Sequence, residues 1–395
     1  MNILSKLPDP QILLDKHAGN RNVPEVNGHL HSPHSFCSFD SIDQMFDMAS
    51  GEGVKVLGIN DFYTVDGYDE FARLASNNRI FPLFNIEFTG LMKDLQEQDI
   101  RVNDPNNPGR VYLSGKALRY PFNVSEDAQK FLADLQTNSQ DQVREMIIKA
   151  DEHLRTVDKE FRLEYDPLKE KYAENLVRER HIARAIRELI YERYPGEEEC
   201  LEVFNKIFDG RELNAPLDKH AAVENQIRSL LLKKGGKAFV PEDSAAFPDI
   251  RKITDFIIEA GGLPCYPVLL DDSKGEMTAF EADWEKMDAT MKSLNISCLE
   301  LIPQRNSSAK LTEFVRYFYE RDYVITLGTE HNSPGLFPIT VKVGKDEDLS
   351  SYLKKVSYEG CCFLAAHQYL AARNTKSYDN SFRDLGNAVI KEFTS

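Results

Sequence analysis

"NGHLHSPHSFCSFDS", residues 27–41, holds His29, His31 and His34 within six positions of a chain that has nine histidines in 395 residues. The overlapping residues 23–32, "VPEVNGHLHS", read as a β-strand running into a loop. In a strand, side chains at i and i+2 share a face, about 6.5–7 Å apart. His29 and His31 can therefore turn together onto one cation, and neutral imidazole is the commonest protein ligand for zinc and related metals. The same pair reads equally well as two solvated or core-edge histidines, and the motif alone does not separate the two.

Outward from this stretch the chain alternates strand and helix. "SIDQMFDMASGEG" is a helix closed by glycine, "VKVLGIND" a short strand, "TVDGYDEFARLASNNR" a second helix and "IFPLFNIEFTG" the next strand. This order predicts parallel strands with helices outside, and catalytic groups at the strands' C-terminal ends. The pattern changes near residue 120. From "SEDAQKFLADLQ" to "ENQIRSLLLKKGG" the chain reads as charged amphipathic helices, a helical insertion. Alternation then returns. "FPDIRKITDFIIEAGG", "DWEKMDATMKSL" and "SAKLTEFVRYFYERD" are helical, and "LPCYPVLL", "ISCLELIPQ" and "YVITLGTEHN" are strands. The expected organisation is a barrel in two parts, 22–119 and 237–344, interrupted by an insertion at 120–236 and followed by a mainly helical extension at 345–395.

Bulk properties narrow the function. The chain is too long for one ordinary core of ~150 residues, and 42% hydrophobic content is enough to fill a larger one. No apolar run approaches the ~18–20 residues of a membrane span, and "MNILSKLPDPQILLDKH" is too charged for a signal peptide. A cytoplasmic protein with no membrane partner is expected. Cys37, Cys200, Cys265, Cys298, Cys361 and Cys362 have no CxxC spacing and read as reduced thiols. A net charge of −16 repels polyanions, so no nucleic-acid partner is expected. A small phosphorylated substrate would need a cation from a metal or from clustered arginine.

Three later strands end in an acid just where the apolar run stops: Asp61 in "VLGIND", Glu87 in "LFNIEF" and Glu330 in "VITLGTEHN". Such a group is costly inside a barrel mouth unless it is paired, solvated or metal-bound. Singly, each reads as a helix cap or salt-bridge partner, Asp61 above all because a helix follows it. Together with His29 and His31 they read as one shared site.

This series resembles the polymerase-and-histidinol-phosphatase (PHP) superfamily over most of residues 22–340. "NGHLHSPHSFCSFDS" resembles its HxH motif, "VLGINDFYTVDGYDEF" its I-T-D-H-N-T motif and "LFNIEFTG" its G-x-E strand. "GRVYLSGK" is similar to V-H-L-L-G, "EAGGLPCYPVL" to A-G-G-x-x-x-A-H-P and "LGTEHNSPG" to G-S-D-x-H. The resemblance implies an α/β fold, a distorted (β/α)7 TIM-like barrel of the PHP type with a large helical insertion. Many members are metal-dependent phosphoesterases.

His29, His31, Glu87 and Glu330 match the ligands of one ion, which implies one divalent metal (zinc, manganese or iron) or none. Phe62, Tyr112, Tyr266 and Asn332 stand where the family places further ligands. Phenylalanine has no donor atom, and a phenol with a pKa near ~10 must ionise first. Cys37, or alternatively Asp40, occupies the early slot of a third metal. Tyr112 and Tyr266 then become hydrogen-bond donors to substrate or packing residues, and Asp61 orients a ligand or accepts a proton. His34, Arg110, Lys116, Arg305, His331 and Asn332 are the candidate substrate contacts. His331 follows Glu330 directly, so regular strand geometry turns it away unless the strand has ended.

In the insertion, "RHIARAI", "VFNKIFDG" and "GKAFVPED" resemble a phosphoesterase branch that carries R-x-H-I-A. Here Glu179 takes the arginine position beside His181, between Arg178 and Arg180. That points to a helix-surface ion pair. The insertion could serve as a lid or a dimer surface. The expected function is a hydrolase, a phosphoesterase using a single metal-activated water on a small molecule. The alternative is a catalytically silent module that binds a small ligand or protein partner through the barrel mouth.

Overall fold

A computed structural model describes residues 2–19, 22–36, 38–241, 246–270, 276–333, 335–344, 346–375 and 382–395. Cys37 lies outside the described residues. Seven strands follow one another around a sheet: β1 (Glu25–Leu30), β2 (Val54–Phe62), β3 (Phe81–Leu91), β4 (Arg110–Lys116), β5 (Leu263–Pro267), β6 (Cys298–Leu301) and β7 (Val324–Leu327). The ends of the sheet meet. Glu330 N–H donates to the His29 carbonyl (2.9 Å), and His31 N–H donates to the Glu330 carbonyl (3.0 Å). The result is a nearly closed, distorted TIM-like α/β barrel carrying a helical insertion.

The expectation of parallel strands holds for β1–β2–β3 and β5–β6–β7, whereas β4 runs antiparallel to both its neighbours. The cause lies in the connection. After α1 (Pro10–Lys16), helices α2 (Ile42–Gly51) and α3 (Tyr68–Asn78) return the chain to the start of the next strand. Between β3 and β4 stands only the five-residue α4 (Lys93–Glu97), and Met92 N–H closes this link on the Gly109 carbonyl (2.7 Å). The chain never leaves the mouth, so β4 must run back down.

The insertion comprises α5 (Glu126–Val157), α6 (Tyr165–Tyr172), α7 (Glu179–Arg193), α8 (Glu197–Ile207) and α9 (His220–Ile227). At ~1.5 Å per residue, the 32 residues of α5 span about 48 Å, enough to climb past the barrel. Apolar residues on α5, α7, α8 and α9, among them Met146, Ile186, Phe204 and Ile227, form a separate hydrophobic cluster. α10 (Ile250–Glu259) then lies on the sheet, where Ile253 and Ile257 press against Gly90 and Gly115. α11 (Ala279–Ala282), α12 (Trp284–Ser293) and α13 (Ser308–Tyr319) cover the later strands. α14 (Ser351–Ala372) seals the β7 side. A Cβ at Gly360 would stand 2.0 Å from the Ile325 carbonyl oxygen. α15 (Phe382–Thr394) crosses α14 equally closely at Gly386. No helix among the described residues is long and apolar enough to cross a membrane.

Candidate metal centre

Strand alternation turns Asn27 and His29 of β1, and His31 just past its end, into the barrel, together with Asn60, Glu87, Tyr112, Ser114, Lys116 and Glu300 from the other strands. Three of these side chains meet. His29 Nε2 is 3.3 Å from His31 Nε2 and 3.3 Å from Glu87 Oε2, and His31 Nε2 is 3.6 Å from the same oxygen. All three residues are buried. An ion bound tetrahedrally at 2.0–2.1 Å has ligand atoms about 3.3–3.4 Å apart. The two imidazoles and the carboxylate therefore fit a zinc-like ion in both donor type and spacing.

Each histidine is steered by a second group. His29 Nδ1 lies 2.8 Å from Glu300 Oε2. Glu300 also accepts from Ser114 Oγ (2.5 Å) and pairs with Lys116 Nζ (2.5 Å). Burial alone would raise the Glu300 pKa, but Lys116 and His29 outweigh it and hold the acid well below the ordinary carboxylate range. Burial works against a charged His29, yet Glu300's charge and hydrogen bonds accepted by Glu300 and Glu87 bring its pKa up to about 9. His31 differs. Burial, then His29 and Arg178, keep its pKa well below the usual value, so it is neutral and ready to donate a lone pair. Its Nδ1 lies 3.5 Å from Ser35 Oγ, which donates to Asp61 (2.6 Å). Asp61 also accepts from Ser32 N–H (2.7 Å) and Ser32 Oγ (2.5 Å), so it braces the loop behind His31. Burial raises the Glu87 pKa against the pull of His29.

The triad forms the floor of a cavity of about 620 Å³. Barrel residues Tyr112, Arg110, Glu330, Arg305 and Asn332 line its lower walls. Ser139, Gln142 and Met146 of α5, together with Arg178, Glu179, Arg180, Arg228 and Lys233, supply the upper part. The insertion therefore lies over the barrel mouth and forms part of the cavity wall. Arg178 caps α7, and its guanidinium lies 4.2 Å from the Phe62 ring centroid and 5.5 Å from that of Phe36. It forms no ion pair with a carboxylate among the described residues. Glu179 is held by Arg228 (3.2 Å) and Lys233 (2.9 Å).

The remaining candidates have definite places. Glu330 lines the cavity outside the triad and pairs with Arg305. Its backbone is left-handed (φ +67), as is that of His331 (φ +49), an uncommon conformation for such residues. His331 points away from the cavity, between Phe39 and Phe337, and bonds Thr329 Oγ1 (2.7 Å) and the Phe337 carbonyl (2.9 Å). Arg110 faces the cavity but is paired with Asp104. Tyr266 lies behind the wall, donating to Glu281 Oε1 (3.1 Å) and accepting from Asn103 N–H (3.1 Å). His34 binds Glu174 at 3.2 Å, tying the strand-end loop to the insertion. Lys116 is wholly buried beneath the triad. His181 is buried inside the insertion, where its Nδ1 accepts from Arg178 N–H (3.0 Å).

Sequence reasoning missed Glu300 and the cavity-facing Arg178. An acid inside "CLEL" was the available signal for the first, and a basic residue at the start of α7 for the second.

No family model matches the chain, and no curated protein does. Solved structures do. One is a protein of Bifidobacterium adolescentis assigned by inference as a metal-dependent phosphoesterase, at 14% identity and a TM-score of 0.56. The match covers 83% of this chain and 94% of that one. Another is an amidohydrolase of Chromobacterium violaceum, solved with bound sulfate and no metal, at 13% identity and a TM-score of 0.51. There the match covers 84% of this chain and 96% of that one. At these identities the likeness speaks for the fold, and it is consistent with the barrel type that the sequence motifs resemble.

Proposed function

We propose that the chain is a metal-dependent hydrolase acting on a small anionic molecule, a phosphoester. The observation that carries this reading is the triangle of His29 Nε2, His31 Nε2 and Glu87 Oε2, with sides of 3.3, 3.3 and 3.6 Å, on the floor of a cavity of about 620 Å³. A divalent ion bound there would supply Lewis acidity, lowering the pKa of a water and polarising the substrate oxygen.

The chain's own residues do the rest. Glu300 and Ser35 fix the two imidazole planes, so neither ring need reorganise as charge develops. Arg178, held flat against Phe62, offers its N–H edge to the substrate's anionic group from the insertion. Planar guanidinium suits a phosphoryl group because it can donate two parallel hydrogen bonds. Tyr112 and Asn332 add polar groups to the same cavity.

The test is metal content by elemental analysis of untagged protein, followed by assay of generic phosphate esters with manganese, zinc or iron. About one ion per chain, with turnover lost in His31→Ala, is the expected result. No ion retained and no turnover with any metal would favour the alternative, a silent module that binds a ligand through the same mouth.

A further inference from the structure

Among the described residues, Lys116 is the largest charged side chain that is fully buried. It is fully buried, with Nζ 2.5 Å from Glu300 Oε2, 3.3 Å from the Gly28 carbonyl and 3.3 Å from Asn60 Oδ1. Burying such a pair costs several kcal/mol per ion before their attraction repays it, and an apolar replacement of similar volume is often neutral or stabilising. Stability alone is thus a weak reason for its presence. Its position suggests another reason. Glu300 Oε2, the oxygen that Lys116 holds, is also the one that meets His29 Nδ1. Ser114 Oγ holds the other oxygen, Oε1, at 2.5 Å, so the carboxylate has no freedom to turn. Asn60, which accepts from Lys116, also places its Nδ2 3.1 Å from His29 Nε2 and 3.3 Å from Glu87 Oε2.

We infer that Lys116 and Glu300 act as one positioning unit, fixing the His29 ring so that Nε2 faces the metal triangle. Lys116 lies behind Glu300 and outside the cavity walls, whereas Glu300 borders the cavity and bonds the ligand set at His29 Nδ1. A carboxylate partner on the far nitrogen orients a ligating histidine and strengthens its basicity, and losing such a partner usually costs about 10–100-fold in metal affinity. The lysine keeps that carboxylate in place in a barrel interior where it would otherwise stand uncompensated.

The inference rests on the metal reading above, and the experiment separates the two. Zinc affinity is measured by chelator competition on wild type, Lys116→Met, Glu300→Asp and Lys116→Met/Glu300→Gln, with cobalt absorption as the spectroscopic signature and thermal unfolding alongside. The double variant buries no charge and is expected to unfold at or above the temperature of Lys116→Met, while binding zinc about 10–100-fold more weakly than wild type. Glu300→Asp keeps both charges but shortens the arm by one methylene, and is expected to show a similar loss with an altered cobalt spectrum. Folded double and Asp variants that bind zinc as tightly as wild type would overturn the inference and leave the pair a structural feature. If wild type itself binds neither zinc nor cobalt, the metal reading falls first.

Discussion

The most informative single residue is Arg178. Its guanidinium faces the cavity, 4.2 Å over a ring that offers no ligand atom, and it forms no ion pair with a carboxylate among the described residues. A charge-assisted hydrogen bond is worth roughly 1.5–3 kcal/mol, so Arg178→Met should lower kcat/KM on an anionic substrate about 10–100-fold. Unfolding free energy should change by less than about 1 kcal/mol, because the side chain is partly exposed. An unchanged kcat/KM would remove Arg178 from the site. Glu281 gives a prediction of another kind. Burial pushes its pKa from 4.5 up to about 7, despite hydrogen bonds from Thr278, Leu269 N–H and Tyr266. Between those values the folded chain keeps a proton that the unfolded chain has lost, so stability falls as pH rises through this window. The cost at neutral pH is on the order of 3 kcal/mol. Glu281→Gln should flatten the urea-unfolding free energy between pH 5 and 7, and a slope equal to wild type would contradict the assignment. At this scale His29, His31 and Glu87 were legible, because strand period and strand-end position are local signals. Glu300 was not, and Lys116 was read only as a substrate contact. Which face of a four-residue strand looks inward depends on the register of β5, β6 and β7, and short apolar strands carry no alternation to reveal it.

Among the elements, α14 seals the barrel as much as any strand. Gly360 lets it lie on β7, since an added Cβ would meet the Ile325 carbonyl oxygen at 2.0 Å. Backbone cannot yield as a flexible side chain does, so Gly360→Ala should destabilise the chain by about 2–3 kcal/mol, read as a lower urea midpoint. A midpoint within error of wild type would mean that α14 sits farther out. The strand–helix alternation was readable from glycine stops and β-branched runs around "VKVLGIND" and "IFPLFNIEFTG". The direction of β4 was not, because direction follows from whether the connection returns to the barrel floor. The loop from 92 to 109 stays at the mouth through Met92 and Gly109.

For the molecule as a whole, the insertion changes the meaning of the barrel. As sequence it is a block of charged amphipathic helices with its own apolar cluster, and nothing local says where that block sits. Placed over the mouth, it adds walls to a strand-end site and brings arginines 178, 180 and 228 to that cavity in a chain whose net charge is −16. The central claim, that one ion is held by two imidazoles and a carboxylate, has a direct test. A crystal of the zinc-loaded protein, with anomalous data collected at the zinc edge, should show one strong peak about 2.0–2.2 Å from His29 Nε2, His31 Nε2 and Glu87 Oε2. A map at saturating zinc with no peak among these three atoms would contradict the account.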